Sequence, residues 1–71
     1  MKINLRKNAS SASMAAAEET LRRHVESEGG RAYLLLGGNV VWGCERCGDD
    51  VVWAGGSGEN DVNRMLAGMT Y

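Results

Sequence analysis

Seventy-one residues with a formal net charge of −1 at pH 7 set narrow bounds. A chain of this size makes one domain, residues 1–71, and buries only about 60% of the surface its unfolded form exposes, which leaves little room for a deep catalytic cleft. The near-neutral balance excludes a strongly basic nucleic-acid binder and a heavily acidic mimic of DNA.

The first residues, Met1 to Leu5, lack the apolar stretch of a secretory signal. The longest apolar run, Ala32 to Leu36, is too short to cross a bilayer. The expectation is a cytoplasmic protein that does not enter a membrane.

Lys2 to Lys7 alternates apolar and polar residues, with Ile3 and Leu5 on one face, and predicts a short edge strand. Its lysines and arginine suit an edge that must not pair with another chain. Asn8 to Ser13 offers several helix N-caps. From Ser11 to Glu28 the chain is rich in Ala, Glu, Leu and Arg, all good helix formers. Met14, Ala17, Leu21 and Val25 make a narrow apolar stripe, and Glu18–Arg22 and Glu19–Arg23 are spaced as i,i+4 ion pairs. Gly29-Gly30 ends this helix.

Arg31 to Leu36 reads as a buried strand, and Gly37-Gly38-Asn39 as a hairpin turn. Val40 to Ala54 then reads as a second hairpin of two Val-Val-Trp strands around a polar turn, with Gly48-Asp49-Asp50 supplying turn chemistry. Gly55-Gly56-Ser57-Gly58 is a connector, and Ser57 is the expected N-cap of the last helix. Val62, Met65, Leu66 and Met69 follow at the spacing of one buried helical stripe. The order β-α-β-β-β-α predicts an α+β domain with a mostly antiparallel sheet and both helices packed on one face.

The motif with chemistry of its own is Cys44-Glu45-Arg46-Cys47-Gly48, placed by this reading at the hairpin tip. A Cys-x-x-Cys-Gly turn resembles the knuckle of zinc-ribbon proteins, in which two thiolates converge on one ion. A ribbon needs a second pair of ligands, and the chain has two cysteines and one histidine, His24. A metal site would therefore need Asp49, Asp50 or a second copy of the chain. The leading expectation is two reduced thiols that pack a turn, with no bound metal and no cofactor. His24 beside the apolar stripe reads as a solvated boundary residue. With no nucleophile, no paired carboxylates and no phosphate-binding loop, the chain is not expected to be an enzyme.

The aromatics carry the functional expectation. Alternation puts Trp42 and Trp53 on one sheet face if the turn between them has an even number of residues. Two helices covering the opposite face would leave the tryptophans exposed, with Tyr33 or Leu35 beside them. Exposed Trp and Tyr mark binding hot spots, so Trp42, Trp53 and Tyr33 are the candidate partner-binding residues. The competing reading is that the tryptophans face inward as core.

In size, in its single α+β domain and in its lack of catalytic groups, the chain resembles small phage-encoded inhibitors, the anti-CRISPR proteins in particular. That group shares no motif, so the resemblance is one of architecture and carries no residue roles. It implies a protein that binds a host nuclease complex and blocks its DNA or its recruitment step. The expectation is thus a non-enzymatic inhibitor or adaptor that binds a protein partner, or first itself as a homodimer. Two alternatives are a nucleic-acid binder that stacks bases on its sheet aromatics, which the mildly acidic sheet half disfavours, and a zinc-knuckle dimer through Cys44 and Cys47.

Overall fold

The computed structural model describes residues 1–70. The elements are β1 (Lys2–Leu5), α1 (Ser11–Glu28), β2 (Arg31–Leu36), β3 (Asn39–Cys47), β4 (Asp50–Gly55) and α2 (Glu59–Met69), in the β-α-β-β-β-α order that the sequence predicts for an α+β domain. The strands form one sheet in the order β1-β2-β3-β4. β1 lies parallel to β2 at one edge, while β2–β3 and β3–β4 are antiparallel. A parallel neighbour requires a crossover, and α1 is that crossover. No helix among the described residues is long and apolar enough to cross a membrane.

Turn chemistry fixes the register. Gly37 and Gly38 both take positive φ in a two-residue loop between the paired Leu36 and Asn39, as a type I′ hairpin requires. The next loop is also two residues, between the paired Cys47 and Asp50. There Gly48 alone has positive φ (64°), the pattern of a type II′ turn. Ser10, rather than its neighbours, caps α1: its Oγ accepts a bond from the Ser13 amide at 3.1 Å. α2 begins one residue later than the sequence suggests, with Gly58 as a cap that offers no side-chain bond. Ser57 instead donates its amide to Asp61.

The helices do not share a face. Ala17, Leu21 and Val25 of α1 pack with Ala32, Leu34 and Cys44, joined by Ile3, Leu5, Val41, Val51 and Trp53. Val62 and Leu66 of α2 pack with Val40 and Ala54 on the other side, joined by Tyr33, Leu35 and Val52. No close contact joins the two helices among the described residues. This corrects the expectation of two helices on one face. The physical reason is in the strands: β2, β3 and β4 are apolar on both sides, and one helix per side is the arrangement that removes both sides from water.

One irregularity lets β3 serve both layers. Leu34 pairs with Trp42 but Leu35 pairs with Val40, so Val41 is an extra residue, a β-bulge. Val40 therefore turns to α2 and Val41 to the α1 side, and Trp42, paired with the α1-facing Leu34, turns to the α1 side as well. At Gly43 the sheet meets α2 closely, for a Cβ there would stand 2.5 Å from Val62 Cγ1.

The α2 stripe is narrower than its spacing suggests. Val62 and Leu66 are buried, but Met65 is 52% exposed and Met69 44% exposed. Glu59 bonds Lys2 of β1 and Asn63 accepts from Tyr33 of β2, which turns that flank of α2 toward the β1 side. The opposite flank, with Met65, faces the open side of β4.

Candidate protein-binding surface

Trp42 and Trp53 lie on the same side of the sheet, the α1 side. Trp53 is half-buried and packs against the α1-side core. It also floors an open groove walled by Ala15, Glu18, Glu19 and Arg22 of α1. Trp42 is paired across the ladder with Gly55 and its ring occupies the space that a Cβ at Gly55 would fill. Glycine thus provides a flat seat for the indole. Gly55 and Trp53 stand two residues apart on β4, so the seat of the Trp42 ring and the Trp53 side chain lie on the same face of this strand. Trp42 is 40% exposed, a large apolar surface at the margin of the sheet.

α1 reaches all four strands but leaves the outer side of β4 uncovered. The face of the tryptophans is therefore divided: α1 covers its centre, and the β4 margin stays open. Both sequence readings capture a part of this, since Trp53 joins the core and Trp42 remains at the surface.

Tyr33 does not belong to this surface. It points to the α2 side, where its hydroxyl donates to Asn63 Oδ1 and the Lys2 ammonium sits 5.7 Å above its ring. One position away, Leu34 faces α1, so alternation along β2 separates Tyr33 from the tryptophans. The three aromatics do not form one platform.

The two cysteines do not sit together in the hairpin tip, for Cys47 closes the turn and Cys44 lies three residues back along β3. β3 runs unbroken through both, and Cys44 pairs with Trp53 while Cys47 pairs with Asp50. Residues three apart in an extended strand point to opposite faces, so the two sulfurs diverge and cannot close on one ion. Cys44 is fully buried in the α1-side core and burial pushes its thiol up to about 11. Cys47 is half-buried beside the turn. No group of acidic, Cys or His side chains among the described residues is arranged to hold a metal.

Among the described residues, unpaired charge around the open margin is negative on balance, with Arg46 the one guanidinium there bonded only to a neutral carbonyl. Arg22 is committed to Glu19 and Glu26, and Arg46 donates to the Glu26 carbonyl at 3.0 Å. Glu19 also holds Arg23, at 3.0 Å. Glu18, spaced to pair with Arg22, makes no ion pair among the described residues, and neither do Asp49 and Asp50 at the hairpin turn. Sequence spacing indicated both tryptophans; Met65, the outer edge of β4 and the seat at Gly55 were signalled only by the register, which the bulge sets. Comparison with known proteins identifies no matching family model, no matching curated relative and no matching solved structure, so this surface is read from its own geometry.

Proposed function

We propose that this domain is a non-enzymatic protein-binding module that engages its partner through the Trp42–Trp53 margin. The observation that carries this reading is Trp42, two-fifths exposed on its glycine seat at Gly55. An indole held flat in a fixed position contributes contact area with little further loss of freedom on binding, which is why Trp dominates interface hot spots. Inhibition of a larger assembly, such as a host nuclease complex occluded by the bound domain, is the form of this activity that the small size favours.

The test compares the wild-type chain with Trp42→Ser as immobilised baits. Trp42 does not belong to either buried cluster, so the variant is expected to keep its far-UV spectrum and melting temperature. It should lose the specific partner, at a deficit of about 2 kcal/mol or more in binding free energy. Equal recovery of the same partner by both baits would place the interface elsewhere.

A further inference from the structure

We infer that β4 is a strand-addition site, and that its occupant is an extended basic segment of a partner protein, which lengthens the sheet beyond β4. This rests on the protein-binding reading and specifies its mode.

The backbone defines the site. Gly56 N donates to Val41 O at 3.2 Å. In an antiparallel ladder that bond makes Trp42–Gly55 a non-hydrogen-bonded pair, and pairs alternate from there. Val52 and Ala54 therefore turn their N–H and C=O groups toward β3. Val51, Trp53 and Gly55 turn theirs outward, to the open side. These free donors and acceptors stand at ladder spacing along one strand.

The two sheet edges are treated differently. β1 is a four-residue strand carrying Lys2, whose ammonium is held by Glu59. Short length and an edge lysine are devices that discourage pairing. β4 reads Asp-Val-Val-Trp-Ala-Gly, with no Lys, no Pro and no bulge. On the α1 side its open edge borders the groove floored by Trp53 and walled by Ala15, Glu18, Glu19 and Arg22, and the α2 flank toward it carries the exposed Met65. An added strand presents alternate side chains to the groove on one side and to Met65 on the other.

Charge selects the occupant. Among the described residues three acids at this margin, Glu18, Asp49 and Asp50, make no ion pair, against one guanidinium, Arg46, whose bond is to the neutral Glu26 carbonyl, so the unpaired balance is negative. A strand bearing Lys or Arg complements them. A second copy of this chain does not. In the self-pairing register that uses all three outward residues, Trp53 meets its own counterpart and Asp50 falls beside Gly56 of the other copy. Gly56 is packed against Asp61, so like charges would meet at both ends. Nucleic acid meets the same negative margin.

The probes are two short capped peptides, one alternating Lys and Val, the other alternating Glu and Val, followed by amide hydrogen exchange and indole NMR signals. The Lys peptide is expected to slow exchange at Val51, Trp53 and Gly55 and to leave Val52 and Ala54, already bonded to β3, unchanged. Raising the ionic strength should weaken this binding. Val51→Pro removes an outward N–H without touching the ladder to β3; it trims a side chain packed on the α1-side core, so stability should fall while the sheet's NMR signature stays and the peptide is lost. Equal protection by the Glu peptide would overturn the charge assignment. Protection of the three amides in the free protein that grows with protein concentration would assign the edge to a second copy instead. A peptide that shifts the Trp42 indole while the three amides go on exchanging rejects strand addition but leaves the Trp42 surface standing. Silence at both indole and amides counts against both proposals.

Discussion

Gly43→Ala is the sharpest test of how α2 is seated. A Cβ at Gly43 would lie 2.5 Å from Val62 Cγ1, 3.2 Å from Tyr33 Cδ1 and 3.4 Å from Leu66 Cδ1. Ordinary carbon contacts lie at about 3.5–4.0 Å, so the overlap with Val62 is about 1 Å. Val62 cannot turn away, because a β-branched side chain in a helix has one favoured rotamer and this one is fully buried. The helix itself must lift, loosening Val62 and Leu66, its two buried residues. Overpacking of this kind costs about 1–3 kcal/mol. For a domain of this length each kcal/mol lowers the melting temperature by about 4–8 °C, so far-UV circular dichroism should record a fall of roughly 5–20 °C. Gly43→Ala combined with Val62→Ala removes the colliding methyl, and the double variant should be more stable than the sum of the two single losses implies. A Gly43→Ala protein melting with wild type, or strict additivity in the cycle, would refute the close seat of α2.

Leu66→Ala should destabilise the domain by about 2–5 kcal/mol, while Met65→Ala, one position away but half exposed, should stay within about 0.5 kcal/mol; urea titration distinguishes them. Gly55→Ala should displace the Trp42 indole from its seat with little loss of stability, seen as a red-shifted tryptophan emission; an unchanged spectrum would mean that the ring does not rest there. Native alkylation should label Cys47 well before Cys44, which is buried with its thiol raised to about 11. Because the folded-state value exceeds the ordinary one of 9.0, this thiol's contribution is intact below about pH 9 and is lost as pH rises toward 11, at up to about 1.4 kcal/mol per pH unit. A stability curve that stays flat between pH 9 and 11, in comparison with Cys44→Ala, would contradict the assignment.

The element order was legible because each signal was local: candidate caps between Asn8 and Ser13, glycines at 29–30 and 37–38, and an apolar stripe on each helix. The packing was not. Alternation through β3 put Val40 with Trp42 on one face, and a single inserted residue, Val41, separates them. No composition signal marks that bulge, which depends on pairing with β2. The spacing of Cys44 and Cys47 suggested a turn, whereas the strand continues to Cys47 and the two-residue loop follows it. The stripe on α2 was overestimated because a helix over a sheet margin buries only its central residues, and Met65 and Met69 extend past it. Two apolar faces on every central strand were correctly seen as an excess, but the second helix absorbs much of what looked available for a partner.

A sheet covered on both sides has a consequence for how the molecule comes apart. β3 contributes Val41 and Cys44 to one core and Val40 to the other, so the two cores share one wall of backbone. Detaching either helix strips a whole face of that wall, and neither half retains enough buried surface to persist alone. Unfolding should therefore be a single cooperative event, with calorimetric and van't Hoff enthalpies equal and no surviving helix-on-sheet fragment. Substitutions in one core should then be felt in full by the other, although the two helices never meet.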